Sequence, residues 1–451
     1  MTPDARDLWF LPLGGTGEIG MNFNLYGHDG RWLAVDCGVM FGNENVPGPP
    51  VQMADPDFIA QRRDQLDGLI ITHAHEDHVG GVAWLWKSLR CPVYTTRFTA
   101  EILRRKLAEV GLVERVPVNV VEPGARITVG RFDVEWIGLT HSIPEPHALF
   151  LRTPAGKVFH TADWKLDPQP VLGKGYDEHV YRRLAKEGVT AMVCDSTNAT
   201  VAGHSRSEGE LYDGLLGHAQ QAGGRVVVGC FGSNVARLHT LARVARASGR
   251  AMGVLGRSLY NMTGAARSTG LWPAEWKILD REVLGYIPRE ELLVVVTGSQ
   301  GEPRAALSRL ANDQHPDLSL DKGDTVVFSS KVIPGNERSV ERLIGRLEDA
   351  GIRVIASEDS PLPIHASGHP AADELRQMYR WVAPRVAIPT HGEDKHLRAN
   401  ARIARECGVP TQLLGSNGDL FRIAPEPRVQ ARVARTGRLG LTRTGLSAVA
   451  E

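Results

Sequence analysis

Between Ile71 and Gly81 the chain reads ITHAHEDHVGG, so three histidines and an aspartate fall between positions 73 and 78, directly after a short apolar run. Imidazoles crowded this closely do little for a plain fold. A strand repeats every two residues, so His73 and His75 leave its end on one side, while Asp77 and His78 on the first turn of a following helix aim at a neighbouring point. Nitrogen and oxygen donors converging on two adjacent points make a two-metal site. A solvated loop is the competing reading, and the strand-then-helix context argues against it.

Two metal ions need more ligands than one motif supplies, and later segments carry them. His141 follows an apolar run over 134–140, Asp163 follows one over 157–161, and His391 follows one over 387–390. Each alone reads as a loop residue. Their recurrence at predicted strand ends, in a chain that already holds H-x-H-x-D-H, makes them candidate ligands. The five cysteines, Cys37, Cys91, Cys194, Cys230 and Cys407, are scattered and never form C-x-x-C, which excludes a thiolate site and a disulfide framework.

Around this motif, short apolar runs bounded by glycine, proline and aspartate predict strands over 8–13, 23–26, 32–35, 69–71, 92–95, 132–137, 148–152, 158–160 and 191–194. Helical periodicity intervenes over 79–89 and 99–109. From about 205 the alternation becomes regular, with helices over 208–221 and 234–247 and strands over 225–229, 292–297 and 325–329. That rhythm predicts a parallel α/β unit. The chain then returns, through 354–356, 370–382, 387–389 and 395–407, to a segment with a metal-ligand residue of its own. The middle unit therefore reads as an insertion.

Composition narrows the function classes. Hydrophobic residues make up 42% and charged residues 23%, the balance of an ordinary globular protein. Lysine plus arginine (52) equals aspartate plus glutamate (52), so no overall basic field draws in a polyanion and a nucleic-acid partner must be gripped locally. No run approaches the roughly 18 apolar residues of a bilayer-spanning helix, and the N-terminus lacks a secretory layout. A soluble, cytoplasmic protein without a membrane partner is expected.

One glycine motif misleads. Gly15-Thr16-Gly17-Glu18-Ile19-Gly20 satisfies G-x-G-x-x-G, with Asp36 at about the spacing a dinucleotide fold uses for ribose. The following MNFNLY alternates like a strand and opens no helix, so the phosphate-on-helix geometry is missing. A tight turn beneath the metal site is the better reading.

The series THAHEDHVGG, THSIPEP, TADWKLD and PTHGE resembles the metallo-β-lactamase fold. Together with LGGTGEIGMNFNLY, CDSTNA, FGSNVARL, GRSLYN, TGSQGEP, IPGNERSV and IHASGHP, in that family's order from about Leu11 to Ile423, the chain is similar to the ribonuclease J family of β-CASP ribonucleases. The resemblance implies an α/β fold, a metallo-β-lactamase αββα sandwich with an inserted β-CASP domain of parallel α/β type. It divides the chain into core residues 1–204, insertion 205–355, a return segment 356–427 and an arginine-rich end 428–451.

It further implies two Zn²⁺ per subunit, with Mn²⁺ also served by such a site. One ion takes His73, His75 and His141, the other Asp77, His78 and His391; Asp163 bridges them, and Asp36 orients the ligands. Asp77 is then the proton acceptor, while Asp195 and His369 match the acidic and histidine residues of the β-CASP motifs, His369 touching the scissile phosphate. His365 and Ser367 stand where donors could hold the same phosphate, although Asp195 could also cap its own turn and His365 could be a loop histidine. Ser233 and Asn234 open a predicted helix whose free amides form an anion site, which the family uses near a 5′-monophosphate pocket; an N-cap with solvated Arg237 is the alternative.

The expected activity is two-metal hydrolysis of single-stranded RNA, 5′ to 3′ with some internal cutting, in RNA processing or decay. A hydrolase of DNA or a small ester, and a catalytically weak RNA-binding scaffold, are the competing functions. Family members usually continue into a C-terminal domain, whereas only about thirty residues follow Asp419 here. A homodimer and membership of an RNA-degradation assembly are therefore open, and the final arginines read as a solvated tail or an edge strand.

Overall fold

The structure, a computed structural model, describes residues 1–43 and 46–449. Two sheets face each other. One has eight strands in the spatial order Arg428–Gln430, Leu420–Ala424, Leu8–Gly14, Phe23–His28, Arg31–Val35, Leu66–Ile70, Val93–Thr95 and Val118–Val120. The other has seven, in the order Thr411–Gln412, Val386–Thr390, Ala191–Asp195, Gly156–His160, His147–Thr153, Phe132–Gly138 and Arg126–Val129.

Phe10, Tyr26, Val35, Trp136, Leu149, Val193 and Ile388 fill the space between the sheets. Helices cover the outer faces: Val82–Leu89 and Arg97–Glu109 on the first sheet, Glu178–Glu187, Ala372–Val382 and Asp394–Glu406 on the second. Covered on both sides, the central strands are buried end to end, as Leu8–Gly14 shows, and so read in sequence as unbroken apolar runs. This is the αββα sandwich that the motifs led us to expect.

The inserted unit is a wholly parallel five-stranded sheet in the order Ala251–Leu255, Leu292–Val296, Val226–Gly229, Thr325–Phe328 and Arg353–Ile355. The chain leaves the core after Ala191–Asp195 and re-enters it through the helix Ala372–Val382 and the strand Val386–Thr390. These two strands are parallel neighbours, with Val193 opposite Ile388.

The helix predicted over 79–89 is instead split into Glu76–Val79 and Val82–Leu89. Hydrogen bonding explains the break: the Asp77 carbonyl accepts from the Asn22 amide (2.9 Å), the His78 carbonyl accepts from Cys37 (2.8 Å), and the Gly81 amide donates to the Cys37 carbonyl (2.8 Å). The motif turn is thus stitched to the strand ends rather than continued as helix. The backbones meet so closely that a Cβ on Gly38 would lie 1.7 Å from the Asp77 carbonyl oxygen.

The arginine-rich end is not a solvated tail. Arg428–Gln430 extends the first sheet, while Arg438–Thr442 and Gly445–Ala448 join the hairpin Val39–Asn43 and Val46–Ala54 in a separate four-stranded sheet. Arg438 donates to Glu18 at 2.8 Å. The hairpin escaped periodicity because its second strand carries a PGPP run, whose prolines supply no ladder donors.

Gly38→Ala should cost at least about 3 kcal/mol, because the added methyl meets backbone rather than a movable side chain; the melting temperature against the parent measures it. His147 is buried, and burial holds its pKa down at about 4 despite the hydrogen bond of Nδ1 to the Glu145 carbonyl. The unfolded chain therefore binds this proton first. His147 contributes fully above pH 6.5, and its contribution is lost as the pH falls toward 4, roughly 3 kcal/mol in all. In metal-free protein, the stability of His147→Gln should fall less than that of the parent over this window.

Candidate metal centre

The candidate ligands come from four segments at one end of the facing sheets: 73–78, His141, Asp163 and His391. His73, His75, His141 and Asp163 place one ligand atom each within 4.8 Å of one another, as do Asp77, His78, Asp163 and His391. Asp163 stands between the groups: its Oδ2 lies 3.9 Å from His73 Nε2, 3.7 Å from His141 Nε2 and 3.2 Å from His78 Nε2. Its Oδ1 lies 2.8 Å from His391 Nδ1.

Neighbouring groups set which nitrogen of each ring faces inward. Asp36, buried beneath the motif, accepts from the Thr72 amide (2.8 Å) and Thr72 hydroxyl (3.0 Å), and pairs with His78 Nδ1 at 2.7 Å. The Thr72 hydroxyl is then free to accept from His73 Nδ1 at 3.0 Å. His141 Nδ1 donates to the Gly368 carbonyl at 2.6 Å. In His73 and His141 the outward nitrogen holds the proton and Nε2 presents a bare lone pair to the centre, while in His78 the outward Nδ1 is held by Asp36 and Nε2 faces the Asp163 carboxylate at 3.2 Å.

His73 Nε2 and His141 Nε2 stand 3.1 and 3.0 Å from His75 Nδ1. One shared proton can serve only one of these contacts. Asp163 Oδ1 and both ring nitrogens of His391 are buried without a hydrogen-bond partner, although Asp163 Oδ1 and His391 Nδ1 nearly touch. Around His73, His75 and His141, lone pairs outnumber protons. The donor set therefore fits divalent metal ions, which would satisfy these groups together.

The electrostatics agree. Burial pushes His73 and His141 well below the ordinary imidazole range, leaving neutral ligands. Around His78 and His391 burial acts in the same sense but is overcome by the Asp163 carboxylate, with further help from Asp77, so both are raised well above it. That half of the site attracts positive charge. The geometry also carries strain, with positive φ at Asp36 (62°), Ala162 (50°) and His391 (50°), one of them a candidate ligand and another next to one.

Asp195 and His369 meet beside this cluster. His369 Nδ1 faces Asp195 Oδ2 at 2.8 Å, and its pKa is raised because the Asp195 and Asp163 carboxylates outweigh burial. Asp195 Oδ1 also accepts from the amide and hydroxyl of Thr197 (2.9 and 2.7 Å), so the turn-capping reading holds as well. The His369 ring lies 5.2 Å from that of His141 and 5.6 Å from that of His391. Ser367 Oγ accepts from Asn198 Nδ2 at 2.8 Å.

Other expected contact residues have more local partners. Asn234 caps its helix by accepting from the Arg237 amide (2.8 Å), whereas Ser233 beside it is half-buried. Arg237 is not solvated at all; it is 1% exposed. Burial, reinforced by Arg237, lowers the pKa of His365 to about 3, so this histidine is neutral rather than cationic.

Several supporting residues lay outside the sequence reading. Asn22 donates to the Asp77 carbonyl at 3.1 Å, Ser205 and Asn198 donate to the His369 carbonyl at 2.5 and 3.2 Å, and buried Glu374 accepts from the amides of Leu166, Ser205 and Ala371. Asn22 stood in the strand-like MNFNLY that follows the glycine motif and Asn198 in CDSTNA; Glu374 had no signal beyond its place near a helix start.

A two-sheet sandwich with a histidine–aspartate cluster at the strand ends defines a metal-dependent hydrolase, and residues 20–182 match the metallo-beta-lactamase superfamily. Residues 223–347 match the ribonuclease J beta-CASP domain, and 363–414 match the Zn-dependent metallo-hydrolase RNA specificity domain. The chain is 44% identical over 439 residues to a ribonuclease J of Sinorhizobium meliloti, covering 96% of this chain and 77% of the relative. It is 40% identical over 413 residues to that of Mycolicibacterium smegmatis, covering 90% and 73%. A solved protein of unknown function from Enterococcus faecalis V583 shares the fold, with a TM-score of 0.63 at 15% identity, covering 92% of this chain and all of that one. The chain belongs to the ribonuclease J family and is a metal-dependent ribonuclease.

Asp36→Asn should weaken metal binding tenfold to a hundredfold while leaving every candidate ligand in place, because it disturbs the carboxylate that sets His78 and, through Thr72, His73. Competition with a chelator of known affinity measures the change.

Proposed function

We propose that the chain degrades single-stranded RNA from its 5′ end, favouring a 5′-monophosphate, with internal cutting as a second mode, and that two zinc ions serve the reaction. The observation that carries this reading is the His369–Asp195 pair standing beside two donor clusters that share Asp163. The preponderance of imidazole in the donor set supports zinc over manganese. In this reading His73, His75, His141 and Asp163 hold one ion, and Asp77, His78, His391 and Asp163 the other.

Bound there, the two cations would supply the positive charge that lowers the pKa of an attacking water and offsets charge building on the phosphate. Asp77, partly exposed, is placed to accept the proton that water loses. His369, kept protonated by Asp195, offers its free Nε2–H to a phosphate oxygen and can deliver a proton to the leaving oxygen. Asp36 and the Gly368 carbonyl keep ligand rings turned inward throughout the cycle.

End recognition draws on the helix Val235–Ala247. In its first turn the Val235 and Arg237 amides are taken by the Ser233 carbonyl and the Asn234 side chain, so a terminal phosphate would be met by the positive end of the helix, the Ala236 amide and the half-buried Ser233 hydroxyl. No helix among the described residues is long and apolar enough to cross a membrane. All five cysteines are free thiols, which agrees with a reducing, cytoplasmic setting.

Asp77→Asn and His78→Ala should each lower RNA hydrolysis at least a hundredfold with unchanged circular dichroism; undiminished cleavage would remove the assigned site. On RNAs of one sequence, kcat/KM should be higher for the 5′-monophosphate than for the 5′-hydroxyl form. Equal values would remove the end-directed reading.

A further inference from the structure

Arg237 is among the most buried large side chains of the molecule, yet it belongs to the first turn of the helix that opens at Ser233 and Asn234. Its guanidinium grips three separate segments. Nε and Nη2 meet the two carboxylate oxygens of Glu208 at 2.5 and 3.1 Å. Nη1 donates to the Ser329 carbonyl (2.7 Å) and hydroxyl (2.5 Å), and reaches the Ile364 carbonyl at 3.4 Å. Ser329 Oγ itself donates to Ile364 at 2.6 Å.

Each partner has a distinct place in the chain. Glu208 lies where the chain has just left the core, Ser329 follows the parallel strand Thr325–Phe328, and Ile364 begins the return loop that carries His365, Ser367, Gly368 and His369. Glu208 is tied onward: its amide donates to Asp167 Oδ2 (2.9 Å), which pairs with buried Lys165 at 2.9 Å. Lys165 and Asp167 both bond Thr140, the residue before His141, and His141 Nδ1 donates to Gly368. The network closes a ring from candidate ligand to inserted unit and back.

An ion pair removed from water contributes little net stability, since two well-packed apolar side chains of similar volume hold a fold as well. A planar fork with fixed donor directions can instead hold three segments in register, which neither lysine nor an apolar pair can do.

We propose that the Glu208–Arg237 pair positions the machinery for end-directed cutting: it holds the helix start at Ser233 and the loop Ile364–His369 at a fixed separation from the metal centre. This rests on the 5′-end reading above. The distance from a held 5′ phosphate to the attacked linkage is set by that separation, and misplacement of about 1 Å can cost a hundredfold in rate. Loosening the pair should slow all cleavage through the loop that carries His369, and slow end-directed attack most, because that attack also depends on the separation from the helix start.

The test compares Glu208→Gln, Arg237→Lys and the charge-free double variant Glu208→Leu/Arg237→Met with the parent, all zinc-loaded. Three quantities are read: the melting temperature, amide hydrogen exchange across 362–369, and kcat/KM on 5′-monophosphate and 5′-hydroxyl RNA. We expect the double variant to melt within a few degrees of the parent, to exchange at least tenfold faster across 362–369, and to lose at least tenfold of its 5′-monophosphate preference. Its rate on 5′-hydroxyl RNA should fall as well, because the loosened loop carries His369, but at least tenfold less than its rate on 5′-monophosphate RNA. Arg237→Lys, which keeps charge but not the fork, should show the same change to a smaller degree and serves if the other variants do not fold. Unchanged exchange and preference in a folded variant would overturn the proposal and leave the pair a stability element. If the parent shows no end preference, the end-directed reading of function fails separately, and exchange across 362–369 alone decides whether the pair holds the loop.

Discussion

Buried imidazoles and two carboxylates are pressed together at the mouth of two sheets, and the trio His73, His75 and His141 has too few protons to share. Outward-facing ring nitrogens are already engaged by Asp36, Thr72 and the Gly368 carbonyl, so rotating a ring would break a buried hydrogen bond to relieve a buried repulsion. The fold tolerates the cluster because the surrounding layers are packed and the backbone is over-determined at the positions of positive φ. A divalent cation resolves the conflict, and the chemistry follows from the same crowding.

Much of this was legible in the sequence because it is local. H-x-H-x-D-H sits in one turn, and the later candidate ligands stand one or two residues beyond apolar runs, so period and position locate them without knowledge of the fold. The αββα layering was legible for a related reason: strands buried on both faces leave continuous apolar runs. What escaped was non-local. The break after Val79 depends on Asn22 and Cys37 capturing the carbonyls of Asp77 and His78, and a helical pattern contains no trace of that capture. The proline-rich hairpin and the last strands stabilise one another, so neither announces itself alone.

Arg237 shows the same limit. A single arginine in the first turn of a helix reads as surface, and its burial depends on Glu208 nearby in the chain and on Ser329 and Ile364 far along it. Asn234 carried two readings that the structure separates: its side-chain oxygen is committed to the helix start. Asp195 kept both of its readings, one for each carboxylate oxygen.

The strand order has a temporal consequence. Ala191–Asp195 pairs in parallel with Gly156–His160 on one side, but its neighbour on the other side is Val386–Thr390, and His391 follows directly on that strand. A growing polypeptide emerging from the ribosome must therefore make the whole intervening unit before the second half of the cation cradle can close. Until then the nascent chain lacks His391, one of its candidate ligands, so the candidate metal centre stays open on one side while the inserted unit is being made.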